Sequence, residues 1–372
     1  MAESTRLVDL VQLGIDDFLA ERSSELIAIA PELEELVGLS RKFLAGGKRF
    51  RALFLYWGWQ AAAGVVDGFD PLEDNESDDL LGVVLASCAL EVFHAAALGH
   101  DDIMDNSDTR RGAPAAHKRF AQLHTGSGWA GNPSVFGGSA ALLLGDLLLG
   151  WSDELFDRGT ARLASASAGR SGRTEFNRMR TEVTAGQYLD ILEENAWVTQ
   201  PEATALSRAH RVIVYKSAKY SVEAPLAIGA ALGGATLPQL SALREFGLPL
   251  GVAYQLRDDL LGVFGDPVVT GKPAGDDLRE GKRTVLIALA RPKLPSPARN
   301  LIDELLGEPS LDDQQVDMIR TALRDSGAVE EVERIIDHNV GLARAALRDA
   351  PIAPSARDQL LQLAGTVTSR TF

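Results

Sequence analysis

Two short acidic segments are the first places where this chain could bind a metal ion. One contains Asp101, Asp102 and Asp105, and the other contains Asp258 and Asp259. On a helix, residues four positions apart lie on the same face, so Asp101 and Asp105 would point the same way. Carboxylates stacked in this way repel each other unless a cation lies between them, and Mg²⁺ prefers carboxylates together with substrate phosphates. The spacing predicts a magnesium site, although either segment alone also fits a solvent-exposed acidic helix end.

Basic residues occur where they can bind the phosphates of a substrate. The segment 46–51, Gly-Gly-Lys-Arg-Phe-Arg, joins a glycine turn to three cations near a predicted helix start, which suits an anion. Arg110 and Arg111 follow the first acidic segment directly. Further candidate phosphate ligands are Lys216, Lys272 and Lys282. Each cation alone also fits an ordinary surface position, but together with the carboxylates they favour an anionic, metal-dependent substrate.

Helices must position these residues, because the apolar residues recur at three- and four-residue spacing. Over 80–97 one apolar stripe leads into the first acidic segment. Similar patterns predict helices near 8–21, 175–194, 203–232, 240–264, 284–290 and 314–348. Alternation typical of strands is weak. The chain is therefore predicted to be all-α.

Glycine, proline and small polar residues predict the connections between these helices. The breaks fall at 64–79, 125–133, 165–173, 265–282 and 291–297. Among them, 265–282 is long for a connection without structure of its own, and such loops are often functional. We expect it to close over the site as a lid.

Composition limits the classes of function. The 372 residues have a net charge of −15, which argues against a nucleic-acid-binding protein. The single cysteine, Cys88, excludes an intrachain disulfide and favours a cytoplasmic protein. The N-terminus lacks the layout of a signal peptide, and no membrane-spanning segment is expected. The apolar stretch 135–151 contains glycines and Asp146, so we expect a buried core helix there.

Taken in order, these residues resemble the trans-isoprenyl diphosphate (polyprenyl) synthase family, and the pattern is closest to bacterial geranylgeranyl diphosphate synthases. The matching residues are Gly-Gly-Lys-Arg-Phe-Arg at 46–51, His94, Asp-Asp-x-x-Asp at 101–105 with Arg110-Arg111, Gly-Gln-x-x-Asp at 186–190, Lys216-Ser217, Gln-x-x-Asp-Asp at 255–259, Gly-Asp-Pro at 265–267 and Gly-Lys at 271–272. They extend over most of the chain.

The resemblance implies one domain over residues 1–372, built as a large helical bundle surrounding a central cavity. It implies a prenyltransferase that condenses isopentenyl diphosphate with dimethylallyl, geranyl or farnesyl diphosphate by ionisation, condensation and elimination. The implied cofactor is Mg²⁺, for which Mn²⁺ can substitute. The implied assembly is a homodimer with no nucleic-acid partner.

The resemblance also implies a role for each matching residue. Direct metal ligands would be Asp101, Asp105 and Asp258, with Asp102 and Asp259 acting through water or hydrogen bonds. Ligands of the allylic diphosphate would be Arg110, Lys216 and Lys272, with Lys282 as a further phosphate ligand. Ligands of isopentenyl diphosphate would be Lys48, Arg51, His94 and Arg111. Ser217, Gln187 and Gln255 would point dipoles at the reacting carbons, and Asp190 would hold its neighbours in place.

The chain departs from the family pattern at three places. Gly262 stands where the second acidic segment usually has a third aspartate. Ser217 replaces the usual threonine and keeps the hydroxyl group. One additional residue between Gly271 and Lys282 shifts the register of Lys282.

Product length is predicted from the helix that precedes Asp101. One helical turn is about 5.4 Å, close to the length of one isoprene unit. Ala96 and Ala97, the nearest layer, are small, and Phe93 follows in the next layer. In this family bulky residues in the nearer layer stop growth at fifteen carbons. The pattern therefore predicts geranylgeranyl diphosphate, with a farnesyl or longer product as the alternative.

Three other functions fit part of the pattern. His100-Asp101 is similar to the His-Asp pair of the HD metal phosphohydrolases, but that function leaves Asp105, Gln255 and Asp259 unexplained. A class I terpene cyclase shares the first acidic motif but not the second. A non-catalytic partner subunit usually loses one acidic motif, whereas this chain keeps both.

Overall fold

The computed structural model describes residues 2–64, 78–110, 112–265, 275–308 and 310–368. In these ranges the chain is helical almost throughout, and the only strands are one antiparallel pair of two residues each. The all-α prediction is confirmed. The chain forms two compact units, one of Met1–Glu175 with Pro225–Thr236 and the other of Phe176–Ala224 with Leu237–Phe372. They are called the first and the second unit below.

The first unit contains most of the long apolar helices. Its elements are α1 (Ala2–Ile29), α2 (Glu34–Leu44), α3 (Phe50–Ala63), α4 (Asp78–Met104), β1 (Thr109–Arg110), β2 (Ala113–Pro114), α5 (Ala116–Gly126), α6 (Pro133–Thr160), the start of α7 (Ala166–Ala196) and most of α9 (Ala224–Leu232). A 3₁₀ turn, Pro31–Leu33, joins α1 to α2.

Helices α4 and α6 pack along each other and form the centre of this unit. A Cβ at Gly82 would lie 2.7 Å from the Gly159 carbonyl oxygen, and one at Gly159 would lie 2.6 Å from that of Gly82. The two backbones approach so closely that only glycine fits at this crossing. Helix α6 begins with Asn132, which accepts a hydrogen bond from the Ser134 amide at 2.9 Å.

The second unit is built from shorter helices around its own apolar core. Its elements are the remainder of α7, α8 (Ala205–Val212), a π-helix (Ile213–Glu223), α10 (Leu237–Phe264), α11 (Asp276–Glu280), α12 (Val285–Ala290), α13 (Ser296–Leu305), α14 (Asp313–Asp325), α15 (Ala328–Leu347) and α16 (Pro354–Thr368). Three 3₁₀ turns lie at Trp197–Thr199, Glu202–Thr204 and Arg291–Lys293.

Three predicted boundaries were wrong. Residues 166–173 belong to α7, because Ser165 accepts a hydrogen bond from the Ala168 amide at 3.2 Å and starts the helix early. The predicted helix 314–348 is two helices, separated at Gly327, whose φ of +71° no helix accommodates. The predicted loop 265–282 contains helix α11; its residues 266–274 lie outside the described ranges.

Two described helices, α4 and α6, are long and apolar enough to cross a membrane by length and composition alone. Helix α4 is mostly buried, as core helices of soluble proteins are. Helix α6 is buried along the side that contains Ala141 and Leu148, whereas Leu142 and Leu143 are exposed. The prediction of a buried core helix at 135–151 therefore holds for one face of α6 only.

Candidate functional site

The first acidic segment lies at the carboxyl end of α4. The Asp105 amide donates to the Asp101 carbonyl at 2.8 Å, so the two residues lie one turn apart. The helix then ends in a Schellman motif, with Asn106 at φ +51° and the Ser107 amide bonded to the Asp102 carbonyl at 3.0 Å. A helix carboxyl end carries partial negative charge, so carboxylates there are unfavourable unless a cation neutralises them.

In this structure Arg110, at the end of β1, neutralises part of that charge. Its Nε donates to Asp102 Oδ1 at 2.8 Å, and its Nη2 lies 3.5 Å from Asp101 Oδ2. Asp102 is completely buried, so an uncompensated charge there would be costly. The hairpin of β1 and β2 therefore brings a predicted diphosphate ligand to the predicted metal ligands. Arg111, another predicted ligand, lies outside the described residues.

The basic segment 46–51 forms a tight turn into α3. Gly46 and Gly47 both have positive φ, at +68° and +97°, which glycine adopts without strain. Lys48 is exposed, and Arg51 lies half-buried in the first turn of α3. His94, predicted to bind the same diphosphate, lies half-buried on α4 of the same unit.

The second acidic segment lies on α10. Asp258 is exposed, whereas Asp259 is only 6% exposed and accepts a hydrogen bond from Gln255 Nε2 at 2.8 Å. Burial raises the pKa of Asp259 well above its usual value, and the nearby Asp277 carboxylate raises that pKa further. Arg257, between these residues in sequence, forms two 2.6 Å hydrogen bonds to Glu333 on α15. The segment is thereby fixed to the core of the second unit.

The carboxylate of Asp277, on α11, lies against α10 at Gly262. Asp277 also lies 3.8 Å from the Nζ of Lys282, whose backbone amide donates to the Asp277 carbonyl at 3.1 Å. Lys282 forms a second ion pair with Glu280. The predicted phosphate ligand Lys282 is thus held by acidic residues of α11. Lys272, predicted to act with it, lies outside the described residues.

A π-helix, Ile213–Glu223, presents Lys216 to α7. The Nζ of Lys216 lies 2.5 Å from Asp190 Oδ2. The backbone of Lys216 occupies the space that a side chain at Gly186 would need, so this glycine allows the close approach. Gln187 and Ser217 are half-buried on the same two elements. π-helical turns are rare in proteins and are frequently found at functional sites.

The residues predicted to control product length lie on α4, on the amino-terminal side of Asp101. Phe93 is 4% exposed and Ala96 is fully buried, whereas Ala97 is half-buried. Phe93 and Ala96 therefore face the protein interior, and their role in setting product length stays a prediction.

The structure brings several predicted site residues into contact within each unit. The contacts are Arg110 with Asp101 and Asp102 in the first unit, and Lys216 with Asp190 and Gln255 with Asp259 in the second. In the ranges that the structure describes, no three His, Cys, Asp or Glu side chains already converge as a metal site. The donors are nonetheless all carboxylate oxygens, which suit Mg²⁺ when substrate phosphates complete its coordination.

Sequence reasoning missed three groups that hold the predicted residues in place. They are the buried pair Arg49–Glu91, the pair Arg257–Glu333, and Asp277 with its neighbour Glu280. No periodicity or spacing singles out the first two pairs, because their partners lie 42 and 76 residues apart in sequence. The only available signal was that Arg49 and Asp277 stand within or next to segments already identified.

Comparison with known proteins identifies the family and supports the fold. The family model for polyprenyl synthetase matches residues 34–323. The crystal structure of a geranylgeranyl pyrophosphate synthase from Corynebacterium glutamicum, complexed with isoprenyl diphosphate and magnesium, has a TM-score of 0.89 and 37% identity, covering 98% of this chain and 99% of that chain.

Two curated relatives are similar over most of their length. The farnesyl diphosphate synthase of Geobacillus stearothermophilus is 33% identical over 309 residues, covering 76% of this chain and 88% of that protein. The geranylfarnesyl diphosphate synthase of Aeropyrum pernix is 30% identical over 341 residues, covering 91% of this chain and 94% of that protein. The names of these relatives give different products, so similarity alone does not fix the product length.

Proposed function

The chain belongs to the polyprenyl synthetase family and is a trans-prenyltransferase, and we propose that it adds isopentenyl diphosphate to allylic diphosphates. One observation carries the proposal: acidic residues one turn apart end a mostly buried helix, and a guanidinium group lies against two carboxylates of this segment, Asp101 and Asp102. This arrangement suits a diphosphate held by cations. The proposed single domain covers residues 1–372.

The proposed metal ion is Mg²⁺, for which Mn²⁺ can substitute. The similar Corynebacterium glutamicum enzyme was crystallised with isoprenyl diphosphate and magnesium. Asp101, Asp105 and Asp258 would hold the ions directly, and the ions, when bound, neutralise the diphosphate oxygens and make the diphosphate a better leaving group. Asp102 and Asp259 are buried, which supports a role through water or hydrogen bonds.

Cationic side chains would bind the two substrates. Arg110 and Lys216, together with Lys272, would hold the allylic diphosphate. In the structure Arg110 and Lys216 are paired with carboxylates, which fix the position of each cationic group. Each cation has further hydrogens that could donate to a phosphate oxygen. The ligands proposed for isopentenyl diphosphate are Lys48, Arg51, His94 and Arg111, and Lys282 would add a further phosphate contact.

The reaction begins when the C1–O bond of the allylic substrate breaks and its electron pair leaves with the diphosphate. The resulting cation is attacked by the C3=C4 double bond of isopentenyl diphosphate, which forms a bond between C1 and C4. A proton then leaves C2 for an oxygen of the released diphosphate, and a new C2=C3 double bond remains. The oxygens of Ser217, Gln187 and Gln255 would stabilise the cation, and Asp190 would orient Lys216. Water must be excluded, because it would quench the cation.

The proposed main product is geranylgeranyl diphosphate. The small side chains of Ala96 and Ala97 would leave room for a growing chain beside α4, and the buried ring of Phe93 would end it. A farnesyl or longer product is the alternative. The reaction would be the same for each product, so the length of the product would depend on the depth of the space beside α4.

We also propose a cytoplasmic homodimer. Val135, Leu142 and Leu143 on α6 are 66%, 50% and 64% exposed. Residues seven and eight positions apart share one helix face, so these side chains form an apolar stripe. Such a stripe is favourably buried against a second copy of the chain.

Incubation of the purified protein with labelled isopentenyl diphosphate, Mg²⁺ and each allylic primer tests the function. We expect products five or more carbons longer than the primer, and no elongation after addition of a chelator. Elongation with none of the three primers would defeat the proposal. Chromatography against C15, C20 and C25 standards identifies the product.

A further inference from the structure

Arg49 adopts a backbone conformation that arginine rarely takes. Its φ and ψ are +50° and +38°, in the left-handed region, immediately before α3. This conformation is unfavourable for a residue with a Cβ, so the surrounding structure must enforce it. Gly46 and Gly47, three and two residues earlier, adopt positive φ without that strain. The strain at Arg49 therefore needs a local cause.

The guanidinium group of Arg49 supplies that cause. It is buried, donates from Nη1 to Glu91 Oε2 at 3.1 Å, and donates from Nη2 to Gln12 Oε1 at 2.7 Å and to the Leu44 carbonyl. The side chains of Arg49 and Glu91 are only 4% and 5% exposed. A buried ion pair is stable only where its polar atoms have hydrogen-bond partners. Here the guanidinium group of Arg49 has three acceptors, one each on α4, α1 and α2.

Glu91 also contacts the start of α3. Its second oxygen, Oε1, accepts a hydrogen bond from the Ala52 amide at 3.3 Å. Ala52 lies in the first turn of α3, whose amides have no partner within the helix. The side chain of Arg49 does not cap this helix, so a carboxylate from α4 takes that place and also complements the positive end of the helix dipole.

These contacts join three residues of one proposed substrate site. Lys48 precedes Arg49 and is exposed, and Arg51 follows it by two positions. His94 lies three residues after Glu91, hence about one turn along α4. The side chain of Arg49 is buried, whereas that of Lys48 is exposed and that of Arg51 is half-buried. The buried pair thus fixes the basic turn and the histidine helix to each other.

We infer that Arg49 and Glu91 are positioning residues that hold Lys48, Arg51 and His94 in place for isopentenyl diphosphate. The inference rests on the proposed function, because it assigns that substrate to these three residues. Neither Arg49 nor Glu91 contacts the substrate in this scheme. Their removal should therefore weaken one substrate selectively rather than abolish the chemistry.

The test compares Arg49→Lys, Arg49→Gly and Glu91→Gln with the unchanged protein. Glycine accepts the positive φ, so Arg49→Gly removes the guanidinium group while it keeps the turn, and it serves if Glu91→Gln fails to fold. We expect the KM for isopentenyl diphosphate to rise about tenfold or more, because small misplacements of binding groups are costly. The KM for the allylic primer should change less than about twofold.

A second readout does not depend on turnover. Isopentenyl diphosphate alone should raise the melting temperature of the unchanged protein, and the variants should show a smaller rise at the same concentration. As a control, Asp153→Asn removes the 2.6 Å ion pair with Arg173 in the same unit and should leave both readouts unchanged.

The outcomes separate the two hypotheses. If folded Arg49→Lys and Arg49→Gly keep the KM and the melting shift of the unchanged protein, the positioning role is wrong while the proposed function stands. If the unchanged protein elongates no primer and isopentenyl diphosphate does not stabilise it, both are wrong. Equal loss of affinity for the two substrates would reduce Arg49 to a structural role and would also overturn the inference.

Discussion

The carboxylate of Asp277 occupies the space beside α10 that any side chain at residue 262 would need. Gly262 is the position where the family pattern has a third aspartate. Here the missing side chain leaves room for a carboxylate from α11, which also lies next to Lys282. Helix α11 has little freedom to move away from α10, because its carboxyl end is held against Gly307. The Gly307 amide donates to the Leu278 carbonyl, and a Cβ at Gly281 would lie only 2.9 Å from the Cα of Gly307. The absence of a side chain at Gly262 and the position of the Asp277 carboxylate therefore depend on each other.

Gly262→Ala should displace the Asp277 carboxylate and disturb Lys282. We expect a loss of about 1–3 kcal/mol in the free energy of unfolding, as for other overpacked sites, together with weaker Mg²⁺-dependent activity. Urea unfolding and kinetics over a Mg²⁺ series measure both effects. Gly341→Ala on α15 is the control, because nothing lies within 4 Å of its Cβ. Equal behaviour of the two variants would show that Asp277 adjusts freely.

Asp101→Asn and Asp258→Asn should each lower kcat by about a hundredfold or more, because a neutral amide cannot hold the metal ion that stabilises the departing diphosphate. The melting temperature in Mg²⁺ plus inorganic diphosphate should also rise less than in the unchanged protein. Asp325→Asn, at an exposed position of α14, is the charge-matched control. If both active-site variants retained activity, Asp101 and Asp258 would not be metal ligands.

Phe93→Ala should lengthen the main product by opening space beside α4, and Ala96→Phe should shorten it. Liquid chromatography of the products after phosphatase treatment measures the chain length. Val92→Ala, which removes buried volume from the same helix about 100° around its axis, should leave the length unchanged. The assignment fails if both of the first two variants give the product of the unchanged protein.

Asp303→Asn should destabilise the second unit near neutral pH. Asp303 accepts hydrogen bonds from Arg283 at 3.0 Å and from Arg291 at 2.8 Å. Burial alone would raise the pKa of Asp303, but these hydrogen bonds outweigh burial and lower it. A lowered pKa means that the carboxylate stabilises the fold above its unfolded pKa, about 3.9, and that this contribution is lost as the pH falls through the folded pKa.

The expected difference in the free energy of unfolding between Asp303→Asn and the unchanged protein is about 2 kcal/mol at pH 7 and diminishes towards pH 3. Urea unfolding across this range measures it. Asp317→Asn is the control, since Asp317 is 74% exposed in its pair with Arg320 and should contribute little. A difference that does not change with pH would contradict the assigned role of the charge.

Leu143→Glu should convert a dimer into a monomer, because it places a charge in the proposed apolar interface on α6. Light scattering coupled to size-exclusion chromatography measures the mass. Leu237→Glu is the control, since Leu237 is 83% exposed at the start of α10, away from the stripe in sequence. A monomeric unchanged protein, or a dimeric Leu143→Glu protein, would exclude this interface.

Apolar periodicity predicted the long helices, because a helix that buries one face has apolar residues at three- and four-residue spacing. It failed at the ends of helices, where single residues decide. The small polar residues of 165–173 predict a loop, yet the Ser165 hydroxyl starts α7. Gly327 interrupts a pattern that is otherwise continuous, because the backbone angle and not the hydrophobicity ends α14.

The candidate site was predictable where charge and spacing act locally, as in Asp101 and Asp105. It was not predictable where the decisive contact joins distant residues. Arg49 and Lys48 are adjacent cations in the same motif, yet one is buried against Glu91 and the other is exposed. Only the folded chain distinguishes them, because the distinction depends on which element each side chain meets.

The π-helix between α8 and α9 makes this part of the site sensitive to the number of residues in the segment. Lys216 near its start pairs with Asp190, and Glu223 at its end lies 3.5 Å from Arg244. Loss of one residue between them would rotate the two ends of the segment relative to each other by the angle that one helical residue spans, about 100°. Both pairs could not then persist. The number of residues between Lys216 and Glu223 therefore matters to this part of the site as well as the identity of its side chains.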